Sequence, residues 1–187
     1  SLLGYLWQLI RPLTVFGILY VVFTKFFRLG GTPYYEIQLL MGIVLWGFFT
    51  EGVGIALGSL VDREPMVRKS HFALIAIPLS RVVAAFLTLL TNFVAVLALM
   101  IISGVPLSLG WLEIIPIFAI AFATAAGTGV LFSALFVRYR DVRPIGEVIA
   151  TAGFYATPIL YPIEFVTQSS QRAAEVMLAN PLAAAIV

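Results

Sequence analysis

The stretch IIPIFAIAFATAAGTGVLFSALFV, residues 114–137, holds no Asp, Glu, Lys, Arg or His side chain. About 20 consecutive apolar residues in an α-helix cross the hydrocarbon core of a bilayer, so this stretch predicts a membrane span. The stretch VVAAFLTLLTNFVAVLALMII, residues 82–102, has the same character. Both runs are apolar on every face and lack the alternation that marks a strand of a membrane β-barrel. Because helices are the other structure that satisfies the backbone in lipid, the sequence predicts an all-α integral membrane protein.

The composition of the whole chain agrees with this fold class. Of its 187 residues, 61% are hydrophobic and 11% are charged, whereas soluble domains have about 45–50% apolar and about 25% charged residues. These values exclude a soluble enzyme and a disordered chain. The absence of cysteine excludes a disulfide scaffold and thiolate chemistry. The net charge of +2 comes from loops beside the spans, so we expect no nucleic-acid partner.

Three further apolar segments extend the pattern to both sides, and two of them contain a carboxyl side chain, Glu51 or Glu147. The predicted spans are residues 9–24, 37–61, 82–102, 114–137 and 145–163. We expect one transmembrane domain over residues 1–187, built as a polytopic helical bundle. Five spans are visible, and a sixth is expected beyond residue 187.

The end of the fifth span is unusual, because Pro158 and Pro162 interrupt it and the amphipathic stretch 164–178 that follows is too polar to span. This pattern predicts short re-entrant or surface-lying helices, with Asn180-Pro181 as the terminating turn. Non-helical backbone at membrane depth persists only beside protein or a water-filled cavity. Residues 164–181 are therefore a candidate gate region.

The basic residues distribute unevenly between the two sides of the predicted bundle. Eight of the 11 Lys and Arg residues lie on the side of the N-terminus, the 62–81 loop and the 138–144 loop, and three lie on the other side. The positive-inside rule predicts that the first side, including the N-terminus, is cytoplasmic.

Catalytic and nucleotide-binding patterns are missing from the sequence. A phosphate-binding loop requires the pattern GxxxxGK[ST], and neither Lys25 nor Lys69 follows a glycine. His71 is the single histidine, so neither a two-histidine metal site nor a hydrolytic triad inside a span is expected. The sequence predicts that the chain is not an enzyme and that it holds no metal.

Several residues within the spans have two interpretations. Glu51 either lines a polar pathway or is a protonated or paired carboxyl that ties helices together. Trp46 lies about 14 Å below the outer end of its span, and its ring either stacks on sugars in a pore or packs against helices and lipid. Gly54 and Gly58 have the four-residue spacing typical of a close helix contact.

The loop of residues 62–81 mixes charged and apolar side chains. This mixture suits a short helix that lies on the membrane surface or against a cytoplasmic partner. The alternative is a plain positive-inside anchor.

Four motifs occur along the chain in a fixed order: SLLGYLW followed by Arg11-Pro12, LWGFFTE at 45–51, RDVR at 140–143, and TPILYP at 157–162 followed by Asn180-Pro181. The ordered set resembles the permease subunits of type-2 ABC exporters, in the branch that exports polysaccharide, O-antigen and teichoic acid. The similarity covers nearly the whole chain. One departure is Ala73-Leu74-Ile75, where the family often has Pro-Arg-Glu.

The resemblance implies a transport subunit that moves a lipid-linked polysaccharide, of the O-antigen, capsule or teichoic-acid type, outward across the bacterial plasma membrane. The permease would be a multi-pass homodimer among membrane lipids, with a basic interface helix upstream of Ser1. A separate ATP-binding subunit would carry ATP and Mg, so no cofactor is expected on this chain.

The resemblance also implies roles for particular residues. The partner-coupling residues are Arg63, Glu64, Arg68, Lys69, His71, Phe72, Arg140, Asp141 and Arg143. The channel-lining residues are Trp46, Phe48, Phe49, Glu51, Phe154 and Tyr155. The outer-gate residues are Pro158, Tyr161, Pro162, Asn180 and Pro181.

Three other functions compete with polysaccharide export. The nearest is a type-2 ABC exporter of drugs or small lipids. A membrane-embedded glycan or lipid enzyme would need a converging set of polar groups, and the spans offer only Glu51, Glu147, Thr91, Asn92 and scattered hydroxyls. A stand-alone channel would conduct without nucleotide.

Overall fold

The computed structural model describes residues 2–27, 33–62, 73–106, 109–163, 166–167 and 170–186. Across these residues the structure contains α-helices and one 3₁₀ turn but no β-strand. The helices are α1 (Leu2–Lys25), α2 (Tyr35–Asp62), α3 (Ala76–Ile102), α4 (Ile114–Arg138, preceded by the 3₁₀ turn Leu109–Glu113), α5 (Val142–Ala156), α6 (Gln171–Leu178) and α7 (Pro181–Ile186). Within the described chain, four helical segments are long and apolar enough to cross a membrane: Trp7–Lys25, Tyr35–Asp62, Ala76–Ile102 and Gly110–Arg138. The predicted all-α membrane fold is confirmed.

Helix α2 is the centre of the bundle. In its most apolar stretch 61% of the residues are buried, whereas none are buried in the corresponding stretch of α1. Helices α3 and α4 pack most extensively against α2, and α1 and α5 lie at its periphery. The two ends of the bundle are named here after α2, as the Tyr35 end and the Asp62 end.

Glycines permit close helix contacts in this bundle. A Cβ atom added at Gly129 of α4 would lie 3.0 Å from the Cβ of Ala56 and 3.3 Å from Cγ2 of Val82. Gly52 on α2 faces Ala85 of α3 in the same manner, at 3.4 Å. Small residues of this kind let helix backbones approach closely where the surrounding solvent is lipid.

An aromatic cluster fills the space among α2, α3 and α4. Phe86 is its centre, with edge-to-face contacts to Phe48 at 5.7 Å, Phe118 at 6.1 Å and Phe122 at 5.3 Å between ring centroids. Phe93 meets Phe118 at 4.9 Å. Edge-to-face pairs add to the stabilisation from apolar burial, so this cluster fixes the three central helices against one another.

The helix bounds differ from the predicted spans in three places. Helix α1 begins at Leu2 rather than at residue 9. Helix α3 begins at Ala76 rather than at residue 82, so it takes up part of the predicted 62–81 loop. Helix α5 runs over Val142–Ala156, only 15 residues, rather than over 145–163. The backbone leaves the helix at Thr157 because the proline that follows disfavours helical geometry at that residue.

The predicted region 164–181 contains α6 and the first residue of α7. Ser170 caps α6, since its side chain accepts a hydrogen bond from the backbone N–H of Ala173 at 3.4 Å. Asn180 caps α7, with its Oδ1 accepting from the N–H of Leu182 at 3.0 Å. Leu182 and Ala183 are buried, so α7 belongs to the packed bundle.

We expect Gly129→Leu to lower the thermal midpoint of the detergent-purified protein, because the new side chain has no space beside Ala56 and Val82. Overpacking of this kind costs about 1–3 kcal/mol. Gly127→Leu is the matched control, since nothing lies within 4 Å of a Cβ atom at that position on the same helix. Equal thermal midpoints for the two variants would contradict the close contact.

Candidate functional site

A cleft of about 610 Å³ separates α2 from α5, and it is called cleft 1 here. Thr50, Gly54 and Leu57 line it from α2, and Glu147 and Thr151 line it from α5. Its wall combines hydroxyl and carboxyl groups with apolar side chains, although it lies between helices of a membrane bundle. Such a wall suits a water-filled cavity better than contact with lipid.

Two glycine contacts bring α2 and α5 together at the ends of cleft 1. Toward the Tyr35 end, a Cβ atom at Gly153 would lie 2.8 Å from Cη2 of Trp46. Toward the Asp62 end, a Cβ atom at Gly58 would lie 2.8 Å from a terminal nitrogen of Arg143. The absence of a side chain at each glycine therefore lets a large side chain of the facing helix lie against the backbone.

A second cleft of about 540 Å³, called cleft 2, lies among α1, α2 and α3. Its polar lining consists of Gln8 and Arg11 from α1, Thr50 and Glu51 from α2, and Thr88 and Asn92 from α3. Trp46 and Phe154 line both clefts, with ring centroids 6.3 Å apart. Thr50 also lines both clefts, so these two rings and the Thr50 side chain lie between cleft 1 and cleft 2.

The predicted channel-lining residues occupy different positions around these side chains. Glu51 is exposed and faces cleft 2, and Tyr155 is 63% exposed and lines cleft 1. Phe48 borders cleft 2 but is only 3% exposed, because its ring packs against Phe86. Phe49 lies beside Trp46, with ring centroids 5.5 Å apart, and is outside the lining of both clefts.

Arginine side chains gather at the Asp62 end. The guanidinium groups of Arg140 and Arg143 each lie 5.0 Å from the ring centroid of Phe136, which is within the range of a cation–π contact. Asp141 directly precedes α5, and its side chain makes no capping hydrogen bond to that helix. Of the predicted coupling residues, these three can be placed. The other six, Arg63, Glu64, Arg68, Lys69, His71 and Phe72, lie outside the described residues.

The segment that follows α5 is fixed to α2 at the Tyr35 end. The hydroxyl of Tyr35 donates a hydrogen bond to the carbonyl of Leu160 at 2.8 Å, and Nε2 of Gln38 donates to the carbonyl of Pro158 at 3.5 Å. The side chain of Ile159 lies against Gly42, where a Cβ atom would be 2.7 Å from its Cγ2. This segment is part of the packed core.

The predicted outer-gate residues surround this segment. Pro158 and Pro162 are almost fully buried. Tyr161 donates a hydrogen bond to the carbonyl of Tyr155 at 3.1 Å, and Asn180 donates to the hydroxyl of Thr157 at 3.4 Å. Pro181 is the first residue of α7, a position that suits proline because its missing N–H has no helical partner there.

Several residues that line the clefts were not indicated by the sequence. Gly54 was predicted to pack against a helix, but nothing lies within 4 Å of its Cβ position and it lines cleft 1. Gln8, Arg11 and Asn92 of cleft 2 were also missed as site residues. The polar character of Asn92 was visible, yet only the fold brings it to the same cleft as Glu51.

Comparison with known proteins agrees with the predicted family over the whole chain. Residues 1–187 match the family described as ABC-2 type transporter. The O-antigen export system permease protein RfbA of Klebsiella pneumoniae is 30% identical over 188 residues, which cover 100% of this chain and 71% of that protein. The protein of the same name from Myxococcus xanthus is 30% identical over 189 residues, covering 97% of this chain and 69% of its own length. The chain belongs to the ABC-2 type transporter family of membrane proteins.

Proposed function

We propose that the chain is the transmembrane permease subunit of an ATP-driven exporter of a lipid-linked polysaccharide of the O-antigen type. The observation that carries this proposal is cleft 1, a cleft of about 610 Å³ between two helices of the membrane bundle whose lining combines hydroxyl, carboxyl and aromatic side chains with aliphatic ones. Sugar rings present hydroxyl groups and apolar C–H faces, and this lining offers partners for both. The names of the similar permeases support the same cargo.

The energy for transport would come from a separate ATP-binding subunit with its Mg²⁺. The sequence of this chain has no phosphate-binding loop. Helix α2 ends at Asp62, just before the predicted coupling residues 63–72, and Arg140 and Asp141 lie at the same end of the bundle. Both candidate coupling segments are therefore next to the Asp62 end of the bundle in the sequence. A single partner protein at that end would contact both of them through charge-assisted hydrogen bonds.

The membrane would be the bacterial plasma membrane, with the N-terminus and the Asp62 end in the cytoplasm. The support for this orientation is the excess of Lys and Arg on that side. ATP is a cytoplasmic substrate, so the same orientation also places the proposed coupling segments where the ATP-binding subunit would work.

A second copy of the chain would complete the passage. Helix α5 has no buried residue, and Val148 and Ile149 are 69% and 57% exposed. Trp7 and Ile18 of α1 are 69% and 61% exposed. In a homodimer, faces of this kind would meet the same faces of the partner, since two-fold contacts are self-complementary.

Export of drugs or small lipids by the same kind of complex is not favoured, because the similar permeases are named for O-antigen export. A measurement separates the two functions: ATPase activity of the purified complex should respond to lipid-linked glycan and not to hydrophobic drugs. Purification of a tagged full-length permease without an ATP-binding subunit, in several mild detergents, would contradict both of these ATP-driven export functions.

We expect Gly54→Phe to reduce surface polysaccharide by about tenfold or more. The phenylalanine ring would project into cleft 1, and the close-packed helices around the cleft would not move apart enough to restore the lost space. The assay is polysaccharide export in a native-host deletion strain that carries the variant, normalised to permease level in the membrane. Gly127→Phe, an equally open glycine outside both clefts, is the control. Export by Gly54→Phe equal to that of the control would contradict a route through cleft 1.

We expect the double charge reversal Arg68→Glu with Lys69→Glu to uncouple ATP hydrolysis from export, because the proposed partner contacts depend on basic side chains. The measurements are export in the native host and ATPase activity of the purified complex. Lys25→Glu with Arg172→Glu is the matched control, since those residues lie on the predicted outer side. Cysteine accessibility verifies that each variant keeps its membrane orientation. Normal export by the Arg68 and Lys69 variant would rule out the coupling role.

A further inference from the structure

Two helix ends near cleft 1 each carry a charge that is unfavourable for their own helix. An α-helix has a partial positive charge at its N-terminus and a partial negative charge at its C-terminus. Arg143 is the second residue of α5, whose first turn contains no acidic residue, and Asp141 before it makes no capping hydrogen bond. Asp62 is the last described residue of α2, in a turn without a basic residue. Each charge therefore suits the end of the other helix better than its own.

Gly58 allows these two charges to come together. It lies one turn before Asp62 on α2, and a Cβ atom added there would be 2.8 Å from a terminal nitrogen of Arg143 and 3.1 Å from Oδ2 of Asp62. The nitrogen and the carboxylate oxygen therefore lie within about 6 Å of each other, a separation at which opposite charges stabilise one another. Both charged groups reach the same point because residue 58 has no side chain.

Arg143 also contacts α4. Its guanidinium carbon lies 5.0 Å from the ring centroid of Phe136, within the range of a cation–π contact. Phe136 is buried in the bundle, so its ring gives the guanidinium a fixed surface. A planar guanidinium can stack on an aromatic ring while its N–H groups face a carboxylate. Arg143 thus connects the first turn of α5 to the ends of both α2 and α4.

Helix α5 depends on such local contacts for its position, since it has no buried residue. One turn after Arg143, a Cβ atom at Gly146 would lie 3.3 Å from the ring of Phe132 on α4 and 4.0 Å from Leu57 on α2. Residues three apart lie on the same face of a helix, so Gly146 and Arg143 both face the bundle. The charge pair therefore helps to determine where the first turn of α5 lies.

The surroundings of the pair suit the transmission of movement better than the stabilisation of the fold. Asp62 and Arg143 are both exposed, and exposed ion pairs contribute little to stability. In the sequence, Asp62 directly precedes the candidate coupling residues 63–72, and Arg143 directly follows the segment 138–142. A displacement of either segment would therefore pass to the other helix through this pair.

We propose that Asp62 and Arg143 are positioning residues for transport, an interhelical charge pair that makes the two candidate coupling segments move together. The proposal rests on the proposed function, because it takes an ATP-binding subunit as the source of the movement. It assigns the Arg143 side chain to α2 of its own chain, whereas the family resemblance implies a contact with the partner. Arg143 also lines cleft 1, so the pair links the coupling segments to the shape of that cleft.

The test is a charge exchange in the full-length permease, expressed with its ATP-binding subunit in the native-host deletion strain. We expect Asp62→Arg and Arg143→Asp each to lower surface polysaccharide, normalised to permease level, by about fivefold or more. The purified complex should keep its ATP-binding subunit, its ATPase activity and its thermal midpoint. The variant with both substitutions should recover more than half of the export, because opposite charges face each other again. A merely structural role would not separate export from ATP hydrolysis.

Arg140 supplies the matched control. Its guanidinium carbon lies at the same distance from the Phe136 ring as that of Arg143, but the atoms nearest to the Gly58 position belong to Arg143 and Asp62. Asp62→Arg combined with Arg140→Asp should therefore recover no export relative to Asp62→Arg alone.

A second variant separates the two charges without removing either. Gly58→Leu places a side chain where the charged groups meet, and the atoms it displaces are the ends of exposed, flexible side chains. We expect export to fall by about fivefold or more while the thermal midpoint stays equal to that of Gly127→Leu. Gly127→Leu has open space around it and should export like the unchanged protein. If Gly58→Leu fails to fold, the charge exchange decides the matter.

Several results would overturn the proposal: normal export by either single charge reversal, no recovery in the exchanged variant, recovery through Arg140, ATPase activity that falls in step with export, or normal export by a folded Gly58→Leu protein. Loss of the ATP-binding subunit from the Arg143→Asp complex would also overturn it, because Arg143 would then contact the partner. The proposed function is tested separately, by copurification of the unchanged permease with an ATP-binding subunit and by the Gly54→Phe export assay. If both succeed while the charge exchange fails, the export function stands and the charge pair does not.

Discussion

The bundle depends on how closely other helices approach α2. Gly52 on α2 and Gly129 on α4 have no side chain, and this allows Ala85, Ala56 and Val82 to meet the backbone at van der Waals distance. In lipid, burial of apolar surface contributes little to helix association, because the acyl chains are as apolar as the side chains. Close packing at such glycines therefore has to supply the attraction, and the aromatic cluster around Phe86 extends it.

The clefts arise from the same helix at the positions where no neighbour fills the space. Gly47 and Gly54 on α2 are open, whereas Gly52, between them, is packed. At 3.6 residues per turn, Gly47 and Gly54 lie on nearly the same face of α2, whereas Gly52 points about 140° away from Gly47. One helix thus holds the bundle together on one face and leaves open space beside clefts 1 and 2 on another, which explains how a glycine-rich span both packs closely and borders clefts.

Composition and hydropathy were sufficient to predict the fold class, because apolar length alone distinguishes a membrane helix. They did not reveal which glycines pack, since that depends on the rotation of each helix about its axis. Gly54 and Gly58 have the spacing of a packing motif, yet Gly54 lies open and Gly58 accommodates the guanidinium of Arg143. The short length of α5 was likewise hidden, because the segment after it is apolar but is held by Tyr35 rather than by helical hydrogen bonds.

The surroundings of the candidate site residues could not be predicted from the sequence either, because they also depend on how the helices are rotated. The sequence indicates that Glu51 lies deep in a span, but depth does not determine whether a carboxyl faces a helix, lipid or a cavity. Its surroundings come from α1 and α3, whose polar residues are about 40 positions away along the chain in either direction. Trp46, for which the sequence left pore lining and packing as alternatives, packs against a neighbouring helix and also borders open space. Its ring lies against Gly153, and it also borders both clefts. A side chain in that position links the width of each cleft to the contact between α2 and α5, so the packing of these helices and the shape of both clefts depend on the same atoms.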